Sequence, residues 1–127
     1  MSAPASIRRY EARARSTDTF GRVLCSSRDE HFVVDGPPWN GCPGEAVTPG
    51  ELFLAAVASC GVELLQALAR DEGVALGSVE VDIAGELDAA NPVRSDVTVF
   101  RSVRLAFQLT GPSEQEAEAL VKRFKGR

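Results

Sequence analysis

Residues 48–70 read TPGELFLAAVASCGVELLQALAR and decide how the rest of the chain is organised. Thr48 fits the N-cap of a helix, Pro49 fits its first position, and Glu51 follows three residues after the cap. In such a capping box the threonine hydroxyl and the glutamate carboxylate each satisfy a backbone N–H that has no partner within the helix. A helix therefore begins at Thr48.

The middle of this helix is apolar on every side. All eleven residues from Leu52 to Val62 are apolar or small, and a helix without a polar face is buried all round. The run is shorter than the ~20 residues that cross a bilayer, so we expect no membrane partner. The sequence therefore predicts a buried central helix that carries Cys60.

Length and composition indicate a compact domain without a nucleic-acid partner. The chain has 127 residues, a common size for one domain, and its net charge of −4 gives no basic surface for nucleic acid. The N-terminus lacks the apolar segment of a secretory signal, and three cysteines are an odd number for a disulfide framework. We expect a cytoplasmic protein.

Strand and helix patterns alternate on both sides of the central helix. Strands are predicted on three segments before it and on two after it, and an amphipathic helix begins at a second capping box, Ser113 with Glu116. The predicted strands are Tyr10–Ser16, Phe20–Ser26, His31–Asp35, Val79–Leu87 and Val103–Leu109. The loop 36–47 is rich in Gly, Pro and Asn, which predicts no regular structure.

The order β-β-β-α-β-β-α predicts an α+β fold in one domain over residues 1–127, with antiparallel β-meanders packed on the central helix. The last helix is barely complete where the sequence stops at Lys125-Gly126-Arg127. Gly126 fits a helix C-cap that leads into a further segment, so we expect that the chain is truncated at its C-terminus.

The segment VTPGELFLAAVASC at 47–60 resembles the helix of the OsmC/Ohr family, the osmotically inducible and organic hydroperoxide resistance proteins. The resemblance covers most of the chain from about Tyr10, including Asp35-Gly-Pro and the last helix. It implies an intertwined homodimer with the OsmC-like fold. It also implies a thiol-dependent peroxidase that reduces organic or inorganic hydroperoxides in oxidative-stress defence, with no cofactor.

The resemblance implies that Cys60 is the attacking thiolate. The family's second cysteine, in a Cys-Pro pair after the last helix, has no counterpart in this sequence. Oxidised Cys60 is therefore expected to stall after about one equivalent of peroxide unless an external thiol reductant resolves it. Cys42 is an alternative resolving thiol if its loop approaches Cys60, and a loop cysteine without a role otherwise.

A thiolate needs a nearby cation, which the family supplies as an arginine from the N-terminal strands. Arg15, Arg22 and Arg28 are the candidates, and we name Arg28 because it lies beside a hairpin turn from which it could reach a partner subunit. An exposed turn arginine without a role is the alternative. Nine residues separate Glu51 from Cys60, which places them on opposite helix faces, so Glu51 is assigned to the cap.

A second function fits the same residues. Gly50 stands where catalytic members of the family often carry an acidic residue, and a cysteine in an alanine-rich helix is usually a small buried apolar residue. The alternative is a non-catalytic dimer that binds an apolar ligand, with Cys60 as packing. The single histidine and the three scattered cysteines show no metal-ligand spacing, so no metal site is predicted.

Overall fold

The computed structural model describes residues 6–96 and 98–125. Antiparallel strands and a central helix confirm the predicted α+β class. The strands are β1 Arg13–Ser16, β2 Arg22–Ser27, β3 Glu30–Asp35, β4 Val79–Glu86 and β5 Ser102–Leu109. The helices are α1 Pro49–Glu72 and α2 Glu114–Lys125. The predicted continuation at Gly126 lies outside the described residues.

Strands β1, β2 and β3 form an antiparallel sheet in that order. The β2–β3 hairpin is tighter than predicted, because Ser27 and Glu30 form its last strand pair and only Arg28 and Asp29 lie in the turn. The first strand is shorter than predicted, since it begins at Arg13 rather than at Tyr10.

The loop 36–47 contains one regular turn, so the prediction that it has no regular structure is wrong. Residues Pro38–Asn40 form a short 3-10 helix, with Pro38 at its first position. Proline is tolerated there because its fixed φ suits a helix and its missing N–H would have no partner. Gly41 ends the turn at φ 75°, in the left-handed region that favours glycine.

Both ends of α1 follow the sequence signals. Glu51 accepts hydrogen bonds from the backbone N–H (3.0 Å) and the hydroxyl (2.8 Å) of Thr48, and the Glu51 N–H donates to the Thr48 hydroxyl at 3.4 Å. These hydrogen bonds, the one from the Thr48 backbone first, lower the pKa of Glu51. Gly73, at φ 71°, follows the last residue, and the N–H of Val74 donates to the carbonyl of Ala69. The predicted caps are confirmed.

The burial of α1 differs from the prediction. Within this one chain only Gly61, Leu65, Leu68 and Ala69 of the helix are buried, all in its second half. Because the helix has 24 residues and an 18-residue stretch with a mean hydropathy of 1.9, it meets the length and composition of a membrane span, as some core helices of soluble proteins also do. The apolar stretch is therefore longer than the eleven residues from Leu52 to Val62, and the absence of a membrane partner stays a prediction.

The second half of α1 packs against the C-terminal elements. Leu65, Leu68 and Ala69 form a buried cluster with Leu120 of α2. Phe107 of β5 and Phe124 of α2 pack against this cluster and meet edge to face, with ring centroids 5.5 Å apart. An ion pair between Arg123 and Glu72 also joins the two helices. The predicted apolar faces of β4, β5 and α2 therefore meet in one core.

The chain divides into two compact units, one up to Leu52 and one from Phe53. The first holds β1, β2, β3 and the loop 36–47, and the second holds most of α1 with β4, β5 and α2. The single domain over residues 1–127 stays a prediction.

Candidate functional site

Cys60 lies in the exposed part of α1, within the second unit. In the single chain it is a free, exposed thiol. Residues three and four positions away on a helix are its surface neighbours, and here these are Ala56, Val57, Glu63 and Leu64. Helix α1 therefore supplies small and apolar neighbours for the sulfur, with one carboxylate, and no cation.

An aromatic pair lies on the same side of α1 as Cys60. Phe53 precedes Cys60 by seven residues, which corresponds to about two helical turns and ~10 Å along the axis. Its ring stacks on Phe100, with centroids 5.6 Å apart and an interplanar angle of 23°. A Cβ at Gly85 of β4 would lie 2.8 Å from the Phe100 ring, so glycine is needed there for the ring to approach. The pair leaves Phe53 54% exposed.

In the first unit, an arginine and a buried aspartate hold the loop that leads to α1. The Arg22 Nε and an Nη donate to the two Asp35 carboxylate oxygens at 2.8 and 2.9 Å. The backbone N–H groups of Glu45 and Ala46 donate to the same carboxylate, each at 2.9 Å. Asp35 has no exposed surface, and both of its carboxylate oxygens accept hydrogen bonds. We call Arg22, Asp35 and these two amides the loop clamp.

The loop clamp stabilises the charged forms of the Asp35 carboxylate and the Arg22 guanidinium. The Arg22 guanidinium, followed by the Ala46 and Glu45 amides, holds the pKa of Asp35 well below its usual range despite burial. The hydrogen bond to Asp35 in turn raises the pKa of Arg22. Among the three candidate arginines, Arg22 is thus already paired with a buried carboxylate, which limits its use as a partner for a thiolate.

Cys42 is held inside its own loop. Its side chain lies between Gly21 and Gly36, because a Cβ at either glycine would come within 2.4 Å of the Cys42 sulfur. The thiol is also 3.6 Å from the Asn40 carbonyl oxygen, which it can reach as a weak donor. Resolution of Cys60 by Cys42 stays a prediction, and it would require the sulfur to leave this slot. Cys25 lies half-buried in β2, opposite Phe32 of β3.

Arg28 lies in the turn between β2 and β3 at φ 54°, a backbone conformation unusual for arginine. Together with Arg13 and Arg15 of β1 it lines a pocket of about 420 Å³ on the first unit. Residues 6–96 and 98–125 contain no group of three His, Cys, Asp or Glu side chains that could hold a metal ion.

A family model described as OsmC-like protein matches residues 42–127, which include α1 and Cys60. The chain belongs to the OsmC-like protein family. No curated protein matches it.

Solved structures of OsmC-like proteins share the fold. An OsmC-like protein from Mycoplasma pneumoniae aligns with a TM-score of 0.81 at 16% identity, covering 94% of this chain and 82% of the other. An organic hydroperoxide resistance protein OsmC from Legionella pneumophila aligns at 0.70 with 26% identity, covering 92% and 82%. A Vibrio cholerae organic hydroperoxide resistance protein, with captopril in one of its active sites, aligns at 0.70 with 22% identity, covering 94% and 80%.

Sequence reasoning missed the loop clamp, although its signal was present. In a hairpin, the residue numbers of paired strand residues have a constant sum. The predicted hairpin therefore already placed residue 22 opposite residue 35. The structure has this register, with Ser27 opposite Glu30 and Arg22 opposite Asp35. An arginine facing an aspartate across two strands is a favourable pair. The amides of Glu45 and Ala46 come from an irregular loop, and no periodicity indicates them.

Proposed function

We propose that this OsmC-like protein is a thiol-dependent peroxidase that reduces organic hydroperoxides, with Cys60 as the attacking residue. The observation that carries the proposal is the exposed, free Cys60 thiol on α1, inside the segment that matches the family. The relatives from Legionella pneumophila and Vibrio cholerae are described as organic hydroperoxide resistance proteins, which supports a role in oxidative stress.

The reaction balances with two external thiols. The Cys60 thiolate attacks one oxygen of the peroxide, the O–O bond breaks, and the departing oxygen takes a proton to become an alcohol. Cys60 is now a sulfenic acid. One external thiol condenses with it, releasing water and forming a mixed disulfide, and a second thiol then returns Cys60 to its reduced state. The hydroperoxide is reduced by two electrons, and the two thiols are oxidised to a disulfide.

The surroundings of Cys60 favour an organic substrate over hydrogen peroxide. Ala56, Val57 and Leu64 adjoin the thiol on α1, and the Phe53–Phe100 pair lies on the same side of the helix. An apolar group attached to the peroxide would lose its contact with water against these side chains, at ~25 cal/mol for each Å² buried. For the cation that would activate the thiol, Arg28 stays our named candidate and Arg15 and Arg22 stay the alternatives.

The proposal predicts the stoichiometry of peroxide consumption. Without added thiol, the reduced protein is expected to consume about one equivalent of cumene hydroperoxide per Cys60 and to stop as a sulfenic acid. Dithiothreitol should restore turnover. The measurement is peroxide consumption by a colorimetric assay, followed by peptide mass spectrometry of the oxidised cysteines. Continued exposure to peroxide without thiol should convert Cys60 to the sulfinic acid.

Two outcomes decide between this proposal and the non-catalytic alternative. A Cys60 that stays reduced in the folded protein after a tenfold excess of peroxide would favour the apolar-ligand binder and contradict the peroxidase. A disulfide between Cys42 and Cys60 would leave the peroxidase in place and would replace the external thiol by an internal resolving residue.

We further propose that the functional unit is a homodimer whose interface covers the first half of α1. Phe53 and Ala56 lie on one face of α1 and are exposed in the single chain, and exposed apolar helix faces of this kind usually mark a protein interface. A second copy of the same face can cover them symmetrically.

Light scattering at micromolar concentration is expected to give the mass of a dimer. Ala56→Glu would place a carboxylate in the apolar face and should shift the protein toward monomer, because burying an unpaired charge is costly. Ala90→Glu is the matched control, since Ala90 is an exposed residue of the connection between β4 and β5. A monodisperse wild-type monomer, or equal effects of the two substitutions, would contradict the proposed interface.

A further inference from the structure

The sheet of the first unit carries arginines on one face. Arg13 and Arg15 are two residues apart on β1, so their side chains leave the same face of the strand. Arg13 pairs with Ser26 and Arg15 with Leu24 on β2, while Ser26 pairs in turn with His31 on β3. The strand register therefore brings two arginines and a histidine to one face of the sheet.

These residues line a pocket that is open to solvent. Arg13, Arg15, Arg28 and His31 line a volume of about 420 Å³. Pockets that bind small molecules have volumes of roughly 300–1,000 Å³. The opposite face of the same sheet carries Val34, which is buried. The side chains of Arg13, Arg15, Arg28 and His31 are exposed, so a polar ligand can reach them.

The positive charge of this pocket is not neutralised by the protein. Within residues 6–96 and 98–125, no carboxylate lies within ion-pair distance of Arg13, Arg15 or Arg28. Glu11 contributes a carboxylate to the wall, so three guanidinium charges less one carboxylate give the lining a net charge of +2 when His31 is neutral. Guanidinium groups match the oxygens of phosphate in two parallel hydrogen bonds.

The backbone at Arg28 provides a second, independent observation. This residue has a φ of 54° in a two-residue hairpin turn, a position where glycine or asparagine is preferred over a long side chain. Residues kept in such conformations against local preference are concentrated at functional positions. The turn therefore holds the Arg28 guanidinium at the pocket at a cost in backbone conformation that glycine would avoid.

His31 adds a further polar group and a means of observation. Its Nδ1 is 2.7 Å from the Ser26 hydroxyl, which orients the imidazole ring on the pocket wall. It is also the single histidine of the 127-residue sequence, so its ring signals in an NMR spectrum need no assignment by mutation.

From this convergence we infer that the pocket lined by Arg13, Arg15, Arg28 and His31 binds a small molecule that carries a phosphate group. A phosphate monoester is a dianion above its second pKa of about 6, so its charge complements the +2 of the lining better than that of a monoanionic carboxylate does. The site belongs to the first unit and takes a ligand different from the hydroperoxide proposed above.

The test is a titration of the reduced full chain with phenyl phosphate at pH 7.5 and constant ionic strength, followed through the His31 ring signals. A saturable shift is expected, whereas acetate at the same ionic strength should cause little change. Inorganic phosphate should also saturate the shift, because the shared group is the phosphate itself. A linear response to phenyl phosphate, or equal binding of acetate, would overturn the inference.

Arg28→Gly is the decisive variant, because it removes the guanidinium and relieves the backbone at the same time. Phenyl phosphate should bind about tenfold more weakly, the loss expected for a charged hydrogen-bond donor, while the melting temperature stays the same or rises. Arg104→Gln is the matched control, since Arg104 is an exposed strand arginine outside the pocket. Arg15→Gln repeats the test without altering the turn.

Unchanged affinity in both Arg28→Gly and Arg15→Gln, or an equal loss in Arg104→Gln, would contradict a phosphate site here. The titration contains no peroxide and does not involve Cys60. A negative result would therefore leave the peroxidase proposal as it stands, and a failure of peroxide turnover would not affect the binding result.

Discussion

Cys60→Ser is expected to abolish hydroperoxide turnover and to leave the fold intact. Serine has nearly the size of cysteine, and Cys60 is exposed, so the free energy of unfolding should change by no more than about 0.5 kcal/mol. A hydroxyl at this position lacks the nucleophilicity that a thiolate brings to attack on an O–O bond. Consumption of cumene hydroperoxide with dithiothreitol should therefore fall to the rate without protein.

The other two cysteines supply the controls for this substitution. Cys42→Ser keeps a small polar side chain in the slot between Gly21 and Gly36, and Cys25→Ser changes a half-buried strand residue. With an external thiol present, both variants should retain turnover. Comparable activity in Cys60→Ser would refute Cys60 as the attacking residue, and loss of activity in Cys42→Ser alone would point to an internal resolving role for Cys42.

The sequence predicted the elements because each had a local physical signal. Thr48 with Glu51, and Ser113 with Glu116, satisfy helix N–H groups within four residues, so the caps depend on nothing remote. The alternation in β4 likewise reports directly which side chains face the core, and the structure has Val79, Val81 and Ile83 on the less exposed side. Such signals hold in the sequence because the contacts that produce them are close along the chain.

Predictions that depend on distant partners were less successful. The apolar run Leu52–Val62 indicates that something covers α1, but periodicity cannot show whether the cover comes from the same chain or from a second copy. In the single chain Gly61 is its one buried residue, and Cys60 is exposed. The choice among the three arginines stays a prediction for the same reason, because the role of each depends on which carboxylate or cavity the fold brings to it.

The loop clamp leads to the second prediction, for Asp35→Asn. This change keeps the shape of the side chain but removes the negative charge to which Arg22 and two backbone amides donate hydrogen bonds. One of the carboxylate oxygens becomes an NH₂ group, which cannot accept a hydrogen bond from the Glu45 or Ala46 amide or from Arg22. Breaking a buried ion pair from one side is strongly destabilising, so the melting temperature should fall by about 10 °C or more.

Asp71→Asn is the matched control for this loss. Asp71 pairs with Arg70 on the surface of α1, where the aspartate side chain is 64% exposed, and surface ion pairs contribute little. Its melting temperature should therefore stay within a few degrees of the wild type. An Asp35→Asn variant as stable as Asp71→Asn would show that the clamp does not hold the loop.

Acid is expected to destabilise the wild type more than Asp35→Asn, because only the wild type loses the charge of Asp35. The pKa of Asp35 is lowered in the folded protein from its ordinary value of 3.8, so the unfolded chain binds a proton at this group more readily than the folded one. Above the pKa that Asp35 has in the unfolded chain, the clamp contributes its full stability. This stability is lost as the pH falls from that value toward the lower pKa of Asp35 in the folded protein.

Asp35→Asn has no proton to gain at this position, so its melting temperature should decline less steeply than that of the wild type between about pH 5 and pH 2. The measurement is thermal unfolding by circular dichroism across that range, and parallel declines in the two proteins would mean that Asp35 is not the group through which acid destabilises the fold.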